Sequence, residues 1–263
     1  MESYLAEIRR QSQLFRTAIL AADPLGLVPS CPDWRVLDLL GHLTQVQHFW
    51  ATCLDVRPAQ PSFDEETPPP ADMESGLVAF DAAHERLMAA FDGVSQADSA
   101  WTWSSDPAHH TVGFIARRQA LEALIHRVDA EQARGGALTI IEPALAADGV
   151  DEILDVMYGG CPPWGEFRPL PHYVRLDLTD ASVSVWTQIG RFHGVDPDSE
   201  LEIDEDDIHV VADPGVEPDA VVVGSAQDVL LRLWRREDGA ATQVTGDLEI
   251  LDRFRSATHG PIN

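Results

Sequence analysis

The stretch VGFIARRQALEALIHRVDAEQARGG, residues 112–136, decides the fold. It predicts one long helix from about Val112 to Arg134, which the glycine pair at 135–136 ends. Before it, apolar residues recur at helical spacing, and after it they alternate with a period of two. The sequence therefore predicts a helical domain followed by a domain that contains a sheet, with the change between residues 136 and 150.

Three further helices are predicted before this one. The first is marked by apolar residues at helical spacing: Tyr4, Ile8, Phe15 and Ile19. The second opens at Pro32 or Asp33, and its buried face consists of Val36, Leu39, Leu40, Leu43, Val46 and Trp50. A proline-rich loop at 57–72 separates it from a third helix, which runs from about Met73 to Phe91. Four long helices predict a four-helix bundle.

The second half of the chain has the pattern of a sheet with helices. Strands are predicted at 172–190 (two strands around a Thr-Asp turn), 201–213, 219–224 and 241–245, and helices at 226–237 and 246–256. This is an α+β layer with helices on one side of the sheet. We predict an α+β protein of two domains, a helical bundle over residues 1–147 and an α/β sandwich-like domain over residues 148–263.

Charge and composition exclude several classes of function. The chain has 263 residues and a formal net charge of −26, from 44 acidic residues and 18 basic residues, all of them arginine. Such a surface repels phosphate backbones, so nucleic acid is not an expected partner. Without lysine, Schiff-base chemistry is impossible. The acidity is most simply attributed to solubility or adaptation to salt.

The sequence predicts a cytoplasmic protein. No apolar run reaches the roughly 18 residues that span a bilayer, so a membrane is not an expected partner. The N-terminus, MESYLAEIRR, has early acidic residues and no apolar core of a secretory signal. Cys31, Cys53 and Cys161 lack paired spacing, which fits free thiols in a reducing compartment.

Three side chains have the spacing of a metal site. His42 lies in a helical stripe with Leu39 and Val46, and Glu122 and His126 stand four residues apart, on one face of the last long helix. Helical bundles build metal sites from facing helices. Two nitrogens and one carboxylate leave a coordination position open, which is the pattern of catalytic zinc, although other divalent metals accept these ligands.

The spacing alone is also compatible with purely structural roles for these residues. A single inward histidine is more often a hydrogen-bonded core residue, and a glutamate and a histidine four residues apart are common on amphipathic helices. Four other histidines are rival ligands by the same criterion: His48, His84, His109 and His110.

Three motifs resemble the mycothiol-dependent maleylpyruvate isomerase family. CPDWRVLDLLGHLTQVQHFW at 31–50 is similar to the family signature CPxWxVxDLLxHL. The helix at 111–131 is similar to a second signature, although Val128 stands where the family often has tryptophan. A third similarity joins 224–237 to 245–254. The resemblance implies a DinB-like four-helix bundle followed by a sterol-carrier-like domain.

The resemblance also implies a chemistry. It assigns zinc ligation to His42, Glu122 and His126, and it makes mycothiol the thiol cosubstrate. In the family the metal lowers the pKa of the thiol, and the thiolate adds to the cis double bond of maleylpyruvate. Rotation about the central bond and elimination then give the trans product.

An anionic substrate in an acidic protein requires local cations. Candidates on the metal-bearing helix are Arg117, Arg118 and Arg127, and candidates on the late helix are Arg232, Arg235 and Arg236. The family is expected to use an arginine of its C-terminal domain, for which Arg236 ranks slightly ahead of Arg235, in a cleft shared by both domains. The alternative is that these arginines neutralise neighbouring acidic residues.

Two aspartates are candidate partners of the ligands. Asp129 either orients His126 or pairs with Arg127, and Asp38, one turn before His42, either orients that ligand or faces water.

Three functions are compatible with the sequence. The first is a mycothiol-dependent isomerase or thiol S-transferase that acts on a small anion. The second is a hydrolase of thiol conjugates that uses the same metal. The third is a non-catalytic small-molecule or lipid carrier, for which the arginine-rich helix is less suited.

Overall fold

The computed structural model describes residues 1–62 and 70–260, so the proline-rich loop predicted at 57–72 lies partly outside the described residues. The chain divides into two compact units, Met1–Thr139 and Ile140–Asn263. Each unit has its own buried core. The sequence prediction of an α+β protein with two domains is confirmed.

The first unit is built on four long helices. They are α1 (Glu2–Leu20), α2 (Val36–Val56), α3 (Met73–Ala90) and α4 (Val112–Arg134). Helix α1 packs against α4, and α2 packs against α3. Their apolar faces meet in a core that includes Phe15, Ile19, Leu39, Leu40, Leu43, Leu77 and Phe80. Burial of these faces is the main stabilising contribution to the bundle.

The predicted start of α2 at Pro32 or Asp33 is wrong. Residues Cys31–Arg35 form strand β2, which pairs antiparallel with strand β1 (Leu27–Val28). The helix begins at Val36, and Arg35 before it has an extended backbone with φ −94° and ψ 166°. Pairing with β1 holds the CPDWR segment in an extended conformation, so the helix begins only after Arg35.

The ends of α4 follow from its sequence. Thr111 precedes the helix, and its hydroxyl accepts a hydrogen bond from the backbone N–H of Phe114 at 3.1 Å. At the other end, Gly135 and Gly136 have φ values of 79° and 102°, which residues with a Cβ rarely adopt. The glycine pair therefore ends the helix as predicted.

The second unit is built on a five-stranded sheet. Its strands are β3 (Gly165–Leu178), β4 (Val183–Val195), β5 (Glu202–Val211), β6 (Ala220–Gly224) and β7 (Gln243–Gly246). They lie in the order β5-β4-β3-β6-β7, and every pair is antiparallel except β3 and β6. Strands β3 and β4 form the predicted hairpin, which turns at Thr179–Ser182.

Alternation along these strands gives the sheet a buried face. Val174 of β3 is paired with Thr187 of β4, and Leu176 is paired with Val185, and all four are buried. The intervening Arg175 and Asp177 are partly exposed. Because side chains alternate between the two faces of a strand, this pattern fixes the register of the hairpin.

Three helices complete the second unit: α5 (Pro143–Glu152), α6 (Ala226–Leu233) and α7 (Leu248–Ala257). Helix α5 continues into a π-helical turn at Ile153–Tyr158, and sequence analysis missed both elements. The predicted domain boundary between 147 and 148 falls inside α5. Helix α5 packs against α6 and belongs to the second unit.

The predicted extension of α6 through residue 237 is wrong. The helix ends at Leu233, and Arg235 has a left-handed backbone with φ 57°. This conformation reverses the chain and stops the ladder of helical hydrogen bonds. The apolar side of α6 is buried as expected, with Val229 and Leu230 fully inaccessible to solvent.

Within the described residues, no helix combines the length and the apolar character that crossing a membrane requires.

Candidate metal centre

Helices α2 and α4 bring the three predicted ligands together. His42 comes from the first third of α2, and Glu122 and His126 stand one turn apart on α4. One donor atom from each side chain lies within 4.8 Å of the others, and no other such group of three occurs among the described residues. His126 is buried, whereas His42 and Glu122 are partly exposed, so the cluster remains accessible from one side.

Both imidazole rings turn their Nε2 atoms to the same carboxylate oxygen. His126 Nε2 lies 3.0 Å from Glu122 Oε1, and His42 Nε2 lies 3.4 Å from that oxygen. The two rings meet edge to face, with their centroids 4.7 Å apart. Three donors that converge in this way fit the two-nitrogen, one-oxygen set of a divalent transition metal.

The second oxygen of Glu122 is held by Arg118, one turn earlier on α4. The buried guanidinium of Arg118 donates a hydrogen bond to Oε2. Burial would raise the pKa of Glu122, but the charges of Arg118 and His126 and the hydrogen bonds from both histidines hold it well below its usual value. Glu122 is therefore an anion that presents only Oε1 to the histidines.

Asp129 fixes the other side of His126. Its Oδ2 lies 3.0 Å from His126 Nδ1, and its Oδ1 accepts a hydrogen bond from the hydroxyl of Ser30 at 2.5 Å. A carboxylate can only accept, so Nδ1 carries a proton and Nε2 is the nitrogen directed to the cluster. Burial would lower the pKa of His126, but Glu122 and Asp129 raise it to about 9.

The two aspartates proposed as partners have different contacts. Asp129 contacts His126, whereas Arg127 donates instead to Glu131 at 2.8 Å and to the carbonyl of Thr139 at 2.7 Å. Asp38 accepts a hydrogen bond from the backbone N–H of Arg35 at 2.8 Å, so it stabilises the start of α2. This contact is with the start of its own helix rather than with His42, so the other prediction for Asp38, a residue that faces water, describes its exposed position better.

Two residues beside the cluster were missed by sequence reasoning. The ring centroid of Trp34 lies 4.8 Å from that of His42 and 6.4 Å from that of His126, so the indole forms one wall of the site. Ser30 lies behind Asp129. The CPDW motif was the signal that could have identified Trp34, but no spacing rule predicts that its indole lies beside His126 of α4.

The rival histidines have other surroundings. His48 lies 3.1 Å from Arg86, and His84 stacks on Phe80. His109 and His110 contact Ser104, through its hydroxyl and its carbonyl. Each of the four is engaged away from the cluster of His42, Glu122 and His126.

The two candidate arginines follow helix α6 in the second unit. Arg235 is exposed, and its guanidinium donates to the carbonyls of His259 and Gly260 at 3.0 and 2.7 Å. Arg236 is partly exposed, donates to the carbonyl of Trp234 at 2.7 Å and lies 5.4 Å from the centre of that indole ring. Backbone carbonyls thus accept hydrogen bonds from both guanidinium groups, and Arg236 also lies against an aromatic face.

Two family models match the chain in succession. Residues 5–131 match the family model described as the mycothiol maleylpyruvate isomerase N-terminal domain, and residues 144–253 match that of the MDMPI C-terminal domain. The chain belongs to this family. The two matches follow each other in order and together cover most of the sequence, which confirms the resemblance that the three motifs indicated.

Solved structures share the fold. A structure of the mycothiol-dependent maleylpyruvate isomerase and one of its histidine-to-alanine mutant each align over 94% of this chain and 94% of theirs. Both have a TM-score of 0.53 and 16% sequence identity. No curated protein gives a significant match to the chain. At this identity the likeness supports the fold, and the activity must be argued from the site.

Proposed function

We propose that this protein is a metal- and mycothiol-dependent isomerase or thiol S-transferase that acts on a small anionic substrate of the maleylpyruvate type. The observation that carries the proposal is the convergence of His42, Glu122 and His126 in a chain of this family. An anion between two imidazoles in a largely buried position is costly for folding, and such arrangements occur mainly at functional sites.

The donor set fits a resident divalent metal, for which zinc is the first choice. His42 and His126 would each supply Nε2 and Glu122 would supply Oε1, which leaves a further position for a ligand from solution. A bound zinc ion would supply the positive charge that lowers the pKa of a thiol at neutral pH.

The residues around the ligands fix their geometry. Arg118 holds Oε2 of Glu122, so the carboxylate is directed to the cluster through one oxygen only. Asp129 holds Nδ1 of His126 and thereby sets the tautomer that exposes Nε2. Trp34 covers one side of both imidazoles and excludes water there. The thiol and the substrate are left with the open side, where His42 and Glu122 are partly exposed.

Arg236 and Arg235 are our candidates for the cations that bind the substrate carboxylates. In a chain with a net charge of −26, attraction of an anion requires nearby guanidinium groups, whose planar geometry matches a carboxylate. We expect Arg236→Ala to lower turnover or raise the substrate requirement with metal content unchanged. Arg236→Lys should restore only part of the activity, because lysine lacks the planar pair of donors.

The decisive experiment combines metal analysis with a thiol-dependent assay. The purified chain should contain close to one divalent metal per molecule, and it should convert maleylpyruvate only when mycothiol is present. His126→Ala should lose both metal and activity, whereas His84→Ala, a histidine outside the cluster, should keep both. Full metal retention with unchanged turnover in His126→Ala would refute the proposal.

The same experiment separates the alternatives. Metal content without isomerisation, together with cleavage of a mycothiol conjugate, would identify a hydrolase on the same ligands. Absence of both metal and thiol-dependent activity would identify a carrier. We also propose a cytoplasmic location, because Cys31, Cys53 and Cys161 form no disulfide and the thiol cosubstrate must stay reduced.

A further inference from the structure

Helix α4 carries two buried arginine–glutamate pairs with the same spacing, Arg118–Glu122 and Arg127–Glu131. Arg118 is 3% exposed and Arg127 is fully buried, and each guanidinium donates to Oε2 of the glutamate one turn later. A buried guanidinium is tolerated only when its charge is paired and hydrogen-bonded, so each arginine depends on its glutamate. The two glutamates differ in what else they contact.

Both oxygens of Glu131 are engaged by the fold. Oε2 accepts hydrogen bonds from Arg127 and from the backbone N–H of Thr139, at 2.8 and 2.9 Å. Oε1 accepts a hydrogen bond from the hydroxyl of Thr139 at 2.6 Å. These contacts attach the segment after α4 to the helix, so the Arg127–Glu131 pair serves the stability of the bundle.

Glu122 divides its two oxygens between different partners. Oε2 accepts a hydrogen bond from Arg118, whereas Oε1 lies 3.0 Å from Nε2 of His126 and 3.4 Å from Nε2 of His42. Carboxylates bind calcium through one oxygen or through both, and oxygen-rich sites suit magnesium, calcium and manganese. Because a buried guanidinium holds Oε2, Glu122 offers only Oε1 to the cluster.

Arg118 also changes the charge around the cluster. The carboxylates of Glu122 and Asp129 contribute two negative charges, and Arg118 contributes one positive charge. With a divalent metal and neutral imidazoles, the centre would keep one surplus positive charge, which a single thiolate would neutralise. Without Arg118 the same centre would be neutral, and a thiolate would bring an unbalanced negative charge into a largely buried place.

We propose that Arg118 is a positioning residue that reserves one coordination position of the metal for a thiolate. It withholds Oε2 of Glu122, which disfavours ions that prefer many oxygen ligands, and it supplies the charge that balances an anionic sulfur ligand. This inference rests on the proposed function, because it requires a resident metal and a thiol cosubstrate. It adds a determinant of metal choice and thiol affinity that acts through Glu122.

Metal competition tests the choice of metal. Chelator-competition titrations give the affinities of the full-length protein for Zn²⁺, Mn²⁺ and Ca²⁺, and the readout is the ratio of the zinc affinity to each of the other two. We expect Arg118→Met to lower this ratio by about tenfold or more, because Oε2 becomes available to ions that prefer oxygen. A purely structural role would weaken the binding of all three ions together and leave the ratio unchanged.

Thiol binding tests the charge. Isothermal titration of the zinc-loaded protein with mercaptoethanol, and with ethylene glycol as the matched alcohol, measures the preference for sulfur. We expect Arg118→Met to weaken the binding of the thiol at least about tenfold. Arg118→Lys keeps the charge but lacks the planar pair of donors, so it should lower the metal ratio and largely preserve the binding of the thiol.

Arg127→Met is the matched control, because it removes a buried arginine with the same spacing from the same helix. It should lower stability and leave the metal ratio and the thiol affinity unchanged. If the methionine variants do not fold, Arg118→Lys and Arg127→Lys form the matched pair, and the metal ratio decides.

Two outcomes would count against the inference, and they are distinguishable. A wild type that binds zinc and the thiol, together with Arg118 variants that keep the metal ratio and the thiol affinity, would overturn the role of Arg118 and leave the proposed function standing. A wild type that binds neither zinc nor the thiol would overturn the proposed function and this inference together.

Discussion

Asp129 offers the sharpest test of the metal centre, because it touches a ligand without being one. It is fully buried, and its two oxygens hold His126 Nδ1 and the Ser30 hydroxyl at 3.0 and 2.5 Å. Asp129→Asn keeps the shape of the side chain and removes its charge. The hydroxyl of Ser30 can rotate to suit an amide, so we expect the variant to fold.

The expected effect of Asp129→Asn is a loss of zinc affinity of about 10- to 100-fold, the usual cost of losing the carboxylate behind a ligating histidine. This corresponds to about 1.4–2.7 kcal/mol of binding free energy. Zinc affinity must be measured over a range of pH, because zinc competes with the proton on His126. In the wild type, whose His126 has a pKa of about 9, zinc affinity should rise with pH up to about 9 and then level off.

The variant should give a different pH profile. Without the charge of Asp129 the pKa of His126 falls, so the affinity should level off at a lower pH and at a weaker value. At neutral pH the lower pKa partly offsets the lost orientation, and the full difference therefore appears only on the plateau above pH 9. Chelator-competition titrations across this range measure both quantities.

Asp38 provides the matched control. It is also an aspartate near a candidate ligand, but it stabilises the start of α2 through the backbone N–H of Arg35. Asp38→Asn should lower the free energy of unfolding by no more than about 1 kcal/mol and leave the zinc affinity and its pH profile unchanged. If Asp129→Asn has the same plateau and profile as the wild type, the role assigned to Asp129 is refuted.

Three further predictions concern stability. Arg127→Met should lower the free energy of unfolding in urea by about 3–5 kcal/mol, because it leaves Glu131 buried without its cation. A decrease in the free energy of unfolding smaller than that of a variant at an exposed arginine would contradict this. Burial raises the pKa of Asp207 to about 6 from 3.8, so the folded state prefers the neutral acid and the free energy of unfolding falls as pH rises through this interval. Asp207→Asn should therefore raise the free energy of unfolding by up to about 2–3 kcal/mol at pH 7.5 and leave it unchanged near pH 3.8, as thermal unfolding at both pH values would show. Arg235 has φ 57°, so Arg235→Gly should be more stable than Arg235→Ala by about 1 kcal/mol in the same assay, and equal stabilities would mean that the left-handed backbone carries no cost.

The long helices were predictable because each carries an apolar stripe with the period of a helix. The start of α2 was not, because the residues of β2 form a strand only through pairing with Leu27–Val28, a contact that no local pattern reveals. The missed helix α5 had one readable signal, a proline at its first position, but its sequence PALAADGVDE contains glycine and little apolar periodicity. The end of α6 depended on the left-handed conformation of Arg235, which an arginine rarely adopts.

The candidate site was likewise only partly predictable from the sequence. Spacing could nominate Glu122 and His126, since residues four apart share a face of a helix. Spacing could not separate His42 from the other histidines of the bundle, because that depends on which helix faces overlap in space. The sequence could not decide between Arg127 and His126 as the partner of Asp129, because this depends on where the Arg127 guanidinium is directed. In the structure it contacts Gln11 and Glu131.

Strand β5 ends the sheet, and an edge strand exposes backbone groups that can pair with another molecule. Its sequence EIDEDDIHVV places Glu202, Asp204 and Glu205 at exposed positions along that edge. Asp204 is paired with Arg191 at 2.7 Å and Glu202 lies 3.1 Å from His193, but the carboxylates outnumber these cations, so the edge keeps a net negative charge that opposes pairing of two such edges at neutral pH. Near the isoelectric point of about 4.5 this protection fades. Acidification should therefore weaken this electrostatic barrier to intermolecular strand pairing through β5.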